Sequence, residues 1–193
     1  MPSGAYRHED GTVEEFQCAA GPAGWRYVST TPAGRLDLAV DSRWRQARVE
    51  VRAGGWQLRG GVAGPDTVWL RTGAGGDPAD AREHRAGAAG FTGRSPALLI
   101  ATARSLRLAV GERVRIRLVA LTEPVLATRL VDQEWLLHDV AEHAADAGAV
   151  PVEHYGIGDL STGVSTELYL CGDVAVSGTG IELVELHTPP TGV

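Results

Sequence analysis

The side chains of the C-terminal third are the ones suited to acid–base chemistry. Glu134, His138 and Glu142 recur at intervals of four and would share one face if that stretch were helical throughout, and Tyr155 follows next to His154. One general acid or base suffices for a cofactor-independent cyclase or isomerase that folds a flexible polyketide-like or terpenoid-like substrate. Glu134, His138 and Tyr155 are the candidates for that role. Other chemistries are poorly served. The chain has no Lys, which removes Schiff-base catalysis and a phosphate-binding G-x-x-x-x-G-K-[ST] loop. Around His138 the order His-Asp-Val-Ala-Glu-His has neither the H-E-x-x-H nor the H-x-x-E-H spacing. Cys18 and Cys171 stand far apart, so neither a metal nor a cofactor is expected. The G-x-G-x-x-S turn from Gly156 to Ser161 follows no βα unit, there is no G-x-S-x-G elbow, and nothing singles out a Ser-His-Asp triad.

A second set of residues suits binding. Five Trp stand against only two Phe; an indole is too large to pack casually and its N–H wants a partner. Trp44, Trp56, Trp69 and Trp135, with Tyr155, are candidates to line a cavity for a partly apolar ligand, although each would equally serve as core. Arg45 and Arg115 are candidate donors to an anionic or hydroxyl-bearing head group if their faces turn inward. On an outward face they only solvate the sheet.

These groups must be positioned by strands. Arg35 to Asp41 alternates, with Leu36, Leu38 and Val40 on one face; Trp44 to Arg52 does the same, and Gly54-Gly55 supplies a positive-φ turn before the next strand at Trp56 to Gly61. A further strand at Thr67 to Arg71 makes a meander. Arg113 to Leu121 alternates without error and carries a stripe of Arg113, Arg115 and Arg117. Ser95 to Leu106 is apolar without clear alternation, and Asp139 to Ala147 is the best helix candidate, stopped by Gly148 and Pro151. Thr72 to Gly90, rich in Gly and Ala, reads as a long loop whose tip carries Arg82, Glu83, His84 and Arg85, which would suit an interaction module. Residues 1–12 read as a loose lead-in, 13–187 as one domain and 188–193 as a tail.

Charge is divided along the chain. All 18 Arg lie between Arg7 and Arg129, whereas the last 64 residues hold 11 acids and no Arg. Either two modules have charged partners, or neighbouring strands of one sheet set opposite charges across the ladder. The basic section is interrupted by acids and its Arg are spread over alternating strand positions, which disfavours nucleic-acid binding, since that needs a concentrated field. No apolar stretch approaches the roughly 20 residues of a membrane-spanning helix. The absence of a signal segment and of Cys pairs leads us to expect a cytoplasmic protein. Ala, Gly, Arg and Val in abundance, with no Lys or Asn, suit a high-GC, actinobacterium-like genome.

Several short stretches occur together in order. They are Asp41-Ser-Arg-Trp44-Arg45, Ser95-Pro96-Ala97 running to Arg104, Leu106 and Val110-Gly111, then Asp132-Gln133-Glu134-Trp135, Tyr155, and Thr166-Glu167-Leu168 with Val174 to Ile181. In order and approximate spacing this pattern, from about Glu14 to Leu186, resembles the glycolipid-binding family. The resemblance implies a β-rich, incompletely closed barrel like that of bacterial lipoprotein carriers. Leu99 stands where that family has Asn, Ser177-Gly178-Thr179-Gly180 replaces its terminal D-Y-P-G, and Ala141 to Ala149 reads as an insertion.

The expectation is therefore a mainly β protein: a single antiparallel barrel or half-barrel of about ten strands, with one short helix and a long Gly/Ala-rich loop. Its expected function is to hold a lipid-like or glycolipid-like amphiphile in an aromatic-lined cavity. The alternative is the cyclase or isomerase acting in the same cavity.

Overall fold

The computed structural model describes residues 1–73, 81–145 and 148–191. Its strands are β1 (Ser3–His8), β2 (Val13–Gly21), β3 (Gly24–Thr31), β4 (Gly34–Asp41), β5 (Gln46–Ala53), β6 (Trp56–Ala63), β7 (Asp66–Thr72), β8 (Arg82–Ala86) and β9 (Phe91–Thr92). After the helix α1 (Pro96–Leu106) come β10 (Arg113–Thr122), β11 (Ala127–Ala145), β12 (Gly148–Asp159), β13 (Ser165–Cys171), β14 (Val174–Gly178) and β15 (Ile181–Leu186).

All fifteen join one open sheet. From β8 the order runs back through β7 to β1, crosses to β15, and returns through β14 to β10, with β9 at the far edge. The seam between the halves is the pairing of the first and last strands, with Gly4 opposite Leu186 and His8 opposite Ile181. Neighbours are antiparallel except β9 and β10, which run parallel. The sheet is mainly β as expected, but it has fifteen strands instead of about ten, and its edges at β8 and β9 leave the barrel unclosed.

Helix α1 lies against β4, β9 and β14, and it shares one core with inward-facing residues of both halves of the sheet, among them Leu38, Val49, Trp135 and Leu168. Ala97, Leu98, Ile100, Ala101 and Ala103 are all buried. A helix covered on every side has no polar face, which is why Ser95 to Leu106 shows no helical period in sequence. Pro96 opens it, since proline is pre-set for the first helical turn.

Three expectations are corrected. Asp139–Ala145 is not helical: it continues β11, where Asp139 pairs with His154 and Ala144 with Ala149. Ladder pairing along a long hairpin outweighs the modest helix preference of Ala and Glu. The lead-in is not loose either, because Ser3–His8 pairs on both sides and Tyr6 is buried. Arg82, Glu83, His84 and Arg85 lie on the edge strand β8, paired with β7, and not at a loop tip; of the rest of the expected loop, residues 74–80 fall outside the described residues.

The divided charge is resolved across the ladder. Arg113 and Arg115 meet Glu134, Arg117 meets Asp132, Arg129 meets Asp159, Arg104 meets Glu153 and Arg7 meets Glu182. In β10 and β11, Arg115 is directly opposite Glu134 and Arg117 opposite Asp132. Five acids of the C-terminal third thus meet arginines that precede them in the chain, four of them across strands and Glu153 through the helix residue Arg104.

Candidate functional site

Four segments that are remote in sequence converge at one end of the sheet. They are the β1–β2 turn, the approach to α1, β10 to β13, and the β14–β15 turn with Ile181. An open cavity of about 660 Å³ lies between them. Its apolar wall is Leu99, Leu121, Val131, Ile157 and Ile181; charged groups, Asp10, Arg94, Arg129 and Asp159, also line it. Strand alternation puts both kinds of residue on one face: Arg129, Val131 and Gln133 follow one another along the inner face of β11, as Ile157 and Asp159 do on β12, with Ile157 opposite Trp135.

The charged groups are held in pairs. Arg94 donates to Asp10, and that guanidinium, with the Thr12 amide, holds the Asp10 carboxyl well below the usual carboxylate range. Arg129 approaches Asp159 to 3.7 Å, and the hydroxyl and amide of Ser161 keep the Asp159 carboxyl low.

His8 also lines the cavity. Its Nε2 is 2.9 Å from Glu14 Oε2, with the two side chains only 4% and 3% exposed. The other carboxyl oxygen of Glu14 accepts a hydrogen bond from Ser95 Oγ at 2.5 Å. Ser95 stands at the N-cap of α1 yet makes no side-chain cap there. A cap hydrogen bond is worth about 1 kcal/mol, and this hydroxyl is turned to the buried carboxylate instead. With Nε2 engaged by Glu14, Nδ1 of His8 is the ring nitrogen left for a ligand.

The sequence-derived ligand residues are not brought together. Trp135 and Tyr155 are fully buried in the core, outside the residues that line the cavity, and edge-on to each other at 6.1 Å; Trp135 Nε1 donates to the cavity residue Gln133 at 3.0 Å. Burial, aided by Glu153, pushes the Tyr155 phenol up to about 12. The rest are elsewhere. Trp44 packs on Trp25 at 5.2 Å, Trp56 lies under the Arg71 guanidinium at 3.7 Å, and Trp69 is stacked on His84 and set edge-on to Phe91. Arg45 is paired with Asp41 at 2.7 Å and Arg115 with Glu134 at 3.3 Å. These two do border one surface groove of about 700 Å³, together with Arg43, Arg107 and Arg117.

The acid–base candidates are separated too. Tyr155 points into the core, whereas Glu134 is taken up by Arg113 and Arg115 on the opposite face. His138 is exposed on that outer face and stacked on His154 at 4.7 Å. The missed residues are His8, Glu14 and Ser95. The sequence carried a signal for Glu14, which stands two residues before Phe16 and four before Cys18, both inward-facing, so strand parity alone places it inside.

No protein-family model matches the sequence, and no curated protein matches it. Among solved structures the chain is similar to a DUF1089 family protein from Pseudomonas aeruginosa, at 20% identity with a TM-score of 0.54. The match covers 92% of this chain and 90% of that one. At that identity the likeness establishes a shared β-rich fold that runs through nearly the whole chain.

Proposed function

We propose that the protein binds an amphiphilic small molecule, of lipid-like or glycolipid-like character, in the cavity at the mouth of the curved sheet. One observation carries this reading: a cavity of about 660 Å³ that divides into an apolar wall and a set of charged groups. That volume lies within the roughly 300–1,000 Å³ usual for small-molecule sites. The apolar part of the ligand packs on Leu99, Val131 and Ile157, and its polar head meets Arg94, Arg129 and Asp159. The sequence resemblance to the glycolipid-binding family supports the same reading.

Two measurements test it. Native mass spectrometry of the protein purified from its own host finds a bound amphiphile, and the fluorescent amphiphile 1-anilinonaphthalene-8-sulfonate binds saturably. Leu121→Arg, which puts a long charged side chain on the apolar wall, weakens that binding at least tenfold. A chain that carries no small molecule and binds the probe no better than Leu121→Arg does overturns the proposal.

A second reading, a cofactor-independent cyclase or isomerase, is favoured by His8 in the cavity wall, paired behind it with Glu14. A carboxylate that fixes an imidazole leaves the other ring nitrogen to exchange a proton with a bound molecule. If the bound amphiphile is recovered chemically changed, and unchanged with His8→Gln, the site catalyses as well as binds.

A further inference from the structure

On the outer face of the sheet, away from the core, three neighbouring strands set two imidazoles and a carboxylate together. His138 comes from β11, His154 from β12 and Glu167 from β13, and one ligand atom from each lies within 4.8 Å of the others. We propose that these three residues bind a first-row divalent cation of the zinc class, with Asp139 as a positioning residue.

The backbone is built to assemble this group. Leu137 pairs with Tyr155 and Asp139 with His154, so His138 is the extra residue of a β-bulge. Bulges re-aim a side chain out of the regular alternation, and here the bulge puts His138 and Asp139 beside the same partner. Gly156 makes the room. A Cβ at that position would lie 2.6 Å from His138 Nε2, so any other residue there would push the ring off its place. Glu167 is the residue opposite Gly156 on β13, and Tyr169, opposite His154, stacks on its ring at 4.5 Å and 6°.

The hydrogen bonds around His154 point the same way. Its Nδ1 is 3.3 Å from Asp139 Oδ2 and its Nε2 is 2.7 Å from Glu167 Oε2. A carboxylate thus stands at each ring nitrogen of His154. In the tautomer whose Nδ1–H donates to Asp139, the Nε2 lone pair faces Glu167 and the two can share a cation. A carboxylate on one ring nitrogen and a metal on the other is the arrangement that fixes tautomer and ring orientation in histidine metal sites. Ligands at about 2.0–2.1 Å from a tetrahedral zinc stand about 3.3 Å apart. The exposed His138 and Glu167 side chains would have to adjust to reach that spacing, Glu167 by drawing back from its 2.7 Å contact with His154. Two imidazoles and one carboxylate suit zinc and its first-row neighbours better than magnesium or calcium, which prefer oxygen. A three-residue set leaves a coordination position for water or for an external ligand.

The test is a zinc titration of the metal-stripped, full-length chain against a chromophoric chelator, with Co²⁺ as a spectroscopic substitute. The wild-type chain takes up one zinc, and bound Co²⁺ gives the intense visible absorption of a four-coordinate site. His138→Ala and Glu167→Gln each weaken zinc binding at least tenfold and abolish that absorption, and Asp139→Asn weakens it by about 10- to 100-fold. Circular dichroism reports that these exposed-site variants remain folded. A wild-type chain that takes no zinc from the chelator overturns the proposal, and so does zinc affinity unchanged in both His138→Ala and Glu167→Gln.

Discussion

His8 and Glu14, six residues apart across the β1–β2 turn, face each other at 2.9 Å inside the sheet, each almost sealed from solvent. A buried acid–base pair stabilises only while both partners are present. Removing one leaves the other desolvated and unpaired, at a cost of about 1–3 kcal/mol, a sizeable part of the 5–15 kcal/mol that holds a domain together. Glu14→Ala therefore lowers the urea midpoint severely. Ser95→Ala removes one neutral hydroxyl from the same carboxylate and costs about 1 kcal/mol. Equal losses from the two substitutions would show that Glu14 is not held by His8.

Arg104 separates structural from superficial arginines. From the last turn of α1 it reaches Glu153 on β12 and the carbonyl of Gly172, and its side chain is only 19% exposed. Those bonds fasten the helix to the sheet that wraps it. Hydrogen bonds to a charged group contribute about 1.5–3 kcal/mol, so Arg104→Met costs about that much in chemical denaturation. Arg117, paired with Asp132 in full solvent, behaves otherwise. Such pairs are screened and their side chains pay entropy to meet, and Arg117→Ala leaves the midpoint nearly unchanged. A larger loss from Arg117→Ala than from Arg104→Met would invert this ranking.

These two cases show what a sequence can and cannot disclose. Strands with an exposed face announce themselves: the alternation at Arg35–Asp41 and Arg113–Leu121 marks β4 and β10 almost to the residue. Elements without a two-sided environment do not. Helix α1 is buried all round, so its period is erased, and the end of β11 is stranded by pairing with β12 against its local preference. The site suffered most. Glu14 is an acid on an inward position, and only the parity it shares with Phe16 and Cys18 marks it as such. The placement of Arg115 and His138 on the outer face depends on register and on a bulge, neither of which is written in spacing alone. Trp135 and Tyr155 are core residues and do not line the cavity.

Tyr27 tests whether the interior is fully satisfied. Its hydroxyl is buried without a hydrogen-bond partner among the described residues, while its ring stacks on Phe16 at 5.5 Å. An unpaired buried hydroxyl costs about 1–3 kcal/mol. Tyr27→Phe keeps the stack and removes that cost, so the variant unfolds at a higher urea concentration than the parent. A loss of stability instead would mean that the hydroxyl is paired in solution.

The buried phenols also set an alkaline limit on the fold. Burial raises Tyr6 and Tyr27 well above the ordinary value of 10.0, and it pushes Tyr155 up to about 12. In each case the native state keeps its proton at a pH where the unfolded chain has released it. Where the unfolded chain binds fewer protons, stability falls as pH rises. The contribution of Tyr155 is therefore complete below about pH 10 and drains away between there and about 12. Ultraviolet titration of the folded chain shows these three phenols silent to about pH 10, with their tyrosinate absorbance appearing together with the loss of native circular dichroism. Tyr155→Phe removes one titrating group and flattens the fall in stability across that window, while changing the urea midpoint little at pH 7, because the hydroxyl's bond to Glu153 is long at 3.4 Å. Full ionisation of Tyr155 at pH 10 in a chain that is still native would contradict its burial in the core.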